Sequence, residues 1–137
     1  MKGDGRLSAR LRRQVERRAG GRCEYCKIPL RFDALPPAVD HVVARQHGGR
    51  TEMANLAFCC AHCNAHKGPN IAGIDPNTKR AVRIFSPRTD EWASHFRWNG
   101  AMLIGLTPEA RATIVVLAIN DPFKSAARQA LMDEGTY

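Results

Sequence analysis

Apolar positions recur every fourth residue at Leu11, Val15 and Ala19, while Arg10, Arg12, Arg13, Arg17 and Arg18 crowd the remaining positions. This pattern predicts a helix with one buried stripe, capped by Ser8 and stopped by Gly20-Gly21. "CEYC" (23–26) then reads as a tight turn, and "RFDALPPA" as a connection that Pro36-Pro37 keep free of regular structure. "VDHVVA" (39–44) is rich in β-branched residues and predicts a short strand. "RQHGGRTEMAN" is a loop in which Gly48-Gly49 permit unusual backbone angles, and "LAFC" (56–59) is a second strand. A helix is expected from Cys60 to Gly68-Pro69. The central stretch therefore reads strand, loop, strand, helix.

The second half alternates differently. "GIDPNTKRAVRIF" predicts a turn and then a strand, and Trp92 and Phe96 fall four apart on a short helical turn. "FRWNGAMLIGL" signals a hairpin, with Asn99-Gly100 suited to a type I′ turn. Thr107-Pro108-Glu109 supplies a cap, an N1 proline and an acidic first turn for a helix to about Asn120. Asp121-Pro122 opens another that ends near Gly135. Trp92, Phe96 and Trp98 could stack on bases, but packing under the hairpin is the stronger expectation.

Charge adds a direction to this plan. The chain of 137 residues carries a net charge of +8. Residues 1–22 hold eight Lys/Arg against Asp4 and Glu16, whereas residues 23–67 and 68–137 each come within one charge of neutral. The basic segment favours a polyanion, nucleic acid above all; a solvated surface helix is the plainer reading of the same residues. No run of eighteen apolar residues is present and no apolar stretch follows the charged N-terminus, so neither a membrane span nor a secretory signal is expected. The expected location is cytoplasmic, where clustered cysteines more often hold metal than form disulfides.

Cys23-x2-Cys26 and Cys60-x2-Cys63 form two knuckles, each able to bring two thiolates to one ion. Together they complete a tetrahedral four-cysteine zinc site, which has no open position and does no chemistry itself. A frame of Cys59 and His62 competes for the second knuckle. The thiolate pair is preferred, leaving Cys59 as a small core hydrophobe and His62 as a polar first-turn residue.

Between the knuckles lie Asp40-His41-Val42, Gly48-Gly49, Asn55-Leu56 and then Cys60-Ala61-His62-Cys63-Asn64-Ala65-His66-Lys67-Gly68. Over residues 23–68 this order and spacing resembles the HNH endonuclease family. The stretch that follows is similar to the tail of a bacterial subgroup of that family. The resemblance implies an α+β fold with a ββα-metal (His-Me finger) core, stapled by the zinc and flanked by the basic helix and a C-terminal hairpin plus two helices. It implies one nuclease domain over 1–137, divided into a basic helix (1–22), the motif (23–68) and supporting elements (69–137).

The implied activity is metal-dependent hydrolysis of DNA phosphodiesters, with double-stranded DNA as partner, Zn2+ as structural ion, and Mg2+ or Mn2+ as catalytic ion. His41 is the implied general base, its near-neutral pKa suiting proton transfer from water. Asp40 and Asn64 are the implied oxygen ligands of the divalent ion, which relieves charge on phosphate and leaving oxygen. Asn55 is implied to tie the loop and orient His41. His66 is the other candidate for the last ligand position. It lies two residues beyond Asn64, roughly 200° around the helix, whereas the family position directly follows the second cysteine. His47 could approach DNA from the loop. Arg45 and Lys67, with Arg12, Arg13 and Arg17, are candidate phosphate contacts; Lys67 can share a helix face with Asn64. The glycines would let backbone approach the phosphates. Ala44 departs from the proline common three residues after the histidine, and the D-H-N-N pattern holds metal more weakly than one ending in His. A non-catalytic zinc-stabilised nucleic-acid-binding module is the alternative, and a structural zinc protein with protein partners a third reading.

The choice of knuckle frame is testable. The purified protein should contain about one zinc per chain. Cys60→Ser should lose the metal and destabilise the fold, and Cys59→Ser should keep it; metal analysis with the reverse result would overturn the frame.

Overall fold

The computed structural model describes residues 7–137; residues 1–6, part of the basic 1–22 segment, lie outside the described residues. Helix α1 spans Ala9–Ala19, with the Ser8 hydroxyl accepting from Leu11 N and Gly20 closing it in the left-handed conformation. Val15 is fully buried, and Leu11 and Ala19 pack against the core as the fourfold recurrence predicts. Two of the arginines hold the helix down. Arg18 donates to the Met53 and Leu56 carbonyls, and Arg12 donates to the Pro37 carbonyl at 3.1 Å with its guanidinium over the Phe58 ring.

Strand β1 (Ala38–His41) and β2 (Leu56–Cys59) pair antiparallel, with Asp40 opposite Ala57 and His41 opposite Leu56. The first strand ends at His41 rather than Ala44. The cause is Asn55, whose carbonyl accepts from Val42 N and whose side chain takes both backbone groups of Val43, so the chain leaves the ladder. Helix α2 (Ala61–Lys67) follows β2 after one residue and packs on β1.

Beyond α2, β3 (Ala72–Ile74) pairs with β4 (Ala81–Arg83); β3 was not expected from sequence. Its three residues include Gly73, which carries no strand signal, but a Cβ there would meet Val116, so the glycine lets the hairpin lie close on the later helix. A short helix α3 (Trp92–His95) leads into β5 (Phe96–Asn99) and β6 (Met102–Gly105). The hairpin turn is Gly100-Ala101, one residue later than expected. Gly100 alone has positive φ (61°), which suits a II′ rather than a I′ turn. Helix α4 (Pro108–Val116) uses the Thr107 cap but stops before Asn120. Asn120 is diverted into pairing both backbone groups of Leu103. Helix α5 (Pro122–Asp133) is capped by Asp121.

The architecture is mixed α+β with small two-stranded antiparallel sheets. Trp92, Phe96 and Trp98 pack on one another, with Tyr137 edge-on to Trp98, as the packing reading expects. Side chains from all three sequence segments share one buried cluster, from Val15 through Phe58 to Phe85, Leu103 and Leu117. No helix among the described residues is long and apolar enough to cross a membrane.

Asp75 is fully buried at the tip of the β3–β4 hairpin. It accepts from both Nε and Nη2 of Arg111, and from Thr78 and Asn77. The Arg111 fork holds its carboxyl below the usual range. A depressed pKa contributes stability above the unfolded value of about 3.9 and loses it as pH falls towards the folded value. Asp75→Asn should therefore lower the thermal midpoint by a constant amount from mildly alkaline pH down to about pH 4, and the gap to wild type should close only below that.

Candidate functional site

The two knuckles converge. The sulfur atoms of Cys23, Cys26, Cys60 and Cys63 all lie within 4.8 Å of one another and are buried. A tetrahedral zinc with bonds of about 2.3 Å implies sulfur–sulfur edges of about 3.8 Å; Cys26 Sγ and Cys60 Sγ are 3.8 Å apart. That is far beyond a disulfide bond of about 2.05 Å. Backbone N–H groups of Tyr25, Cys26 and Cys63 point at Cys23 Sγ and Cys60 Sγ, as suits thiolates. The shared sulfur contacts lower the Cys60 thiol and raise those of Cys26 and Cys63. The donor set therefore fits zinc. Cys59 points into the core, where burial raises its thiol far above the ordinary value. His62 is turned away to the Ala118 carbonyl at 2.8 Å, so the competing frame is not assembled.

Parts of the chain distant in sequence brace the first knuckle. Trp92 Nε1 donates to the Tyr25 carbonyl at 2.9 Å, and the Tyr137 hydroxyl donates to the Cys26 carbonyl. Glu24 exchanges backbone and side-chain bonds with Phe58 and is paired with Arg88, which also donates to Leu56. These contacts lock the turn to β2.

At the end of β1, Asp40 is only 5% exposed. Its Oδ2 accepts from the Tyr25 hydroxyl at 2.7 Å, and its Oδ1 from Lys67 Nζ at 3.1 Å. Burial raises its pKa, and Lys67 is the main force opposing that rise. His41 is half-buried, with Nε2 at 2.9 Å from the Thr51 hydroxyl. Burial lowers the imidazole pKa, Arg45 and Lys67 add to this, and Asp40 opposes it. The ring is thereby biased to its neutral form, the form able to accept a proton.

Asn55 ties the loop as the resemblance implies. Its Oδ1 accepts from Val43 N, and its Nδ2 donates to the Val43 and Arg50 carbonyls, all at 2.9 Å. The hydroxyl against the His41 ring is that of Thr51, next to Arg50, whose carbonyl Asn55 holds. The glycines serve the same closure. Gly48 ends a short 3-10 turn (Arg45–His47) with φ of 91°, and a Cβ on Gly49 would lie 1.7 Å from the Val43 carbonyl oxygen. Gly49 is thus packed on its own chain, and the absence of a Cβ is what lets the loop close on Val43.

Asn64 is half-buried on α2, three residues before Lys67 on the same helix face, and Lys67 reaches Asp40. Asp40 offers a carboxylate and Asn64 an amide oxygen, hard donors of the kind that Mg2+ or Mn2+ takes, and one carboxylate leaves the remaining positions to water or phosphate. His66 is exposed, stacks on His62 and turns its Nδ1 to the His62 carbonyl. Arg45 and His47 are exposed on the loop, and Arg13 and Arg17 on α1. One candidate phosphate contact is corrected: Lys67 is 1% exposed and committed to Asp40 and the His41 carbonyl. Arg12 is half-buried, with Nη2 on the Pro37 carbonyl and its guanidinium over Phe58.

Sequence reasoning missed Tyr25, Thr51, Glu24 and Arg88. Tyr25 stands inside the knuckle and Thr51 inside the loop, where no periodicity marks a residue by its partner. Glu24 and Arg88 are 64 positions apart.

Residues 23–70, the segment that holds the four-cysteine cluster and the end of β1, match the family model described as HNH endonuclease. No curated protein and no solved structure gives a significant match to the chain.

The loop geometry is directly testable. Gly49→Ala forces a backbone shift against Val43 and should cost about 2 kcal/mol or more, the range of overpacked sites. Thermal unfolding should show this loss with the zinc still bound; unchanged stability would mean that the loop is not closed in this way.

Proposed function

We propose that the protein is a metal-dependent endonuclease that hydrolyses phosphodiester bonds of double-stranded DNA, by nicking or by cutting both strands. The observation that carries this reading is the end of β1. Asp40, His41 and α2 meet there inside an HNH domain, with the His41 ring held by Thr51. A nucleic-acid-binding module needs no such arrangement.

In this reading Asp40 and Asn64 hold the divalent ion, which when bound relieves negative charge on the phosphate and the leaving oxygen. His41 takes a proton from the attacking water. Thr51 accepts from Nε2–H and so selects the tautomer whose bare Nδ1 is the base. Asn55 keeps the loop, and with it Thr51, in place. The four-cysteine zinc fixes α2 against β1. Arg13 and Arg17, with Arg10, place α1 on the DNA backbone, and Arg45 contacts phosphate nearer the site. The chain acts as one nuclease domain in this reading, which the buried cluster shared by the described residues from α1 to the C-terminal helices supports. Five free cysteines suit the cytoplasm.

Loss of a general base typically costs about 10²–10⁴ in rate. His41→Ala should therefore keep zinc and DNA binding while losing cleavage by that factor, whereas His66→Ala should cut at near the wild-type rate. An active His41→Ala, assayed on plasmid DNA, would overturn the assignment. Each phosphate contact contributes roughly −0.9 to the log–log salt slope of binding. Replacing Arg10, Arg13 and Arg17 with Gln should flatten that slope; an unchanged slope would return α1 to a solvated role.

A further inference from the structure

Lys67 is an unusual residue to find buried. Its side chain is 1% exposed, and its ammonium is bonded at 3.1 Å to both Asp40 Oδ1 and the His41 carbonyl oxygen. The other Asp40 oxygen is held by Tyr25, which lies within the first knuckle in sequence and whose buried ring packs edge-on to the core residue Phe85. Asp40 is thus a carboxylate with one oxygen fixed by a neutral donor and the other taken by a cation. A divalent ion needs a carboxylate oxygen at about 2.0–2.6 Å. An ammonium held on the same oxygen places a like charge beside it, in surroundings that screen poorly.

We propose that Lys67 is a competing internal cation, which occupies Asp40 Oδ1 in the absence of the divalent ion and must yield it when the ion binds. This rests on the reading of Asp40 as a metal ligand. Lys67 keeps the buried carboxylate neutralised, so β1 and α2 stay packed without the ion, and the cost of displacing it weakens the ion's affinity. Tyr25 is the complementary positioning residue: its hydrogen bond to Oδ2 can persist when the cation on Oδ1 is exchanged, so the carboxylate keeps its orientation. A lysine suits exchange because its point charge sits on a flexible stem, unlike the fixed fork of arginine.

The test is isothermal titration of Mn2+ into zinc-loaded protein, without DNA and without reference to cleavage. Lys67→Met removes the charge and keeps the length, and should bind Mn2+ at least about tenfold more tightly than wild type. Lys67→Arg keeps the charge and should stay near the weak wild-type affinity. If Lys67→Met fails to fold, Lys67→Gln serves in its place, with zinc content and thermal unfolding as checks. Equal or weaker Mn2+ binding by the neutral variants, in protein whose wild type does bind Mn2+, would overturn the competition. Failure of wild type and variants alike to bind Mn2+ would overturn the metal reading of Asp40 as well.

Discussion

Four sulfur atoms from opposite ends of the motif, all within 4.8 Å and shut away from water, repel one another as thiolates unless a cation sits among them. In the proposed reading zinc supplies that cation, and the remaining geometry depends on it. It joins the turn after α1 to the start of α2, which would otherwise be a helix of seven residues with little of its own to hold it. With α2 in place, its last residue, Lys67, lies against Asp40 and the His41 carbonyl at the end of β1.

Asp40 is the junction of this arrangement. On one side it is tied through Tyr25 to the loop that carries Cys23 and Cys26, and on the other through Lys67 to the helix that carries Cys63 and Asn64. The site is therefore coupled to the zinc through hydrogen bonds as well as through backbone. Distant segments add to the same end. Trp92, Tyr137 and Arg88 each bond to the first knuckle or its partner strand, so the C-terminal half buttresses the motif.

Much of this was legible in the residues. Ligand spacing announced the four-cysteine cluster, the fourfold apolar recurrence announced α1, and the order of Asp40, His41, Asn55 and Asn64 announced the match to the HNH endonuclease model. What escaped had physical reasons. Strand β1 is shortened by an asparagine side chain that competes for backbone groups, and α4 is shortened where Asn120 pairs with Leu103. Neither event leaves a mark in propensity. Lys67 shares the expected helix face with Asn64, but periodicity does not say whether that face meets solvent or a buried carboxylate. Arg12 and Arg18 looked like surface charge because sequence does not show which carbonyls they will cap. The glycines Gly48 and Gly49 were placed correctly as loop residues, yet the partner of Gly49 is the chain itself.

The central claim is that the zinc is structural and that hydrolysis needs a second, different ion. Incubating supercoiled plasmid with zinc-loaded protein, with and without added Mg2+ or Mn2+, tests it most directly. The account predicts conversion to nicked or linear DNA only when the second ion is present. Plasmid that is bound yet stays intact across all concentrations of both ions would contradict it, and would make the domain a zinc-stabilised binding module.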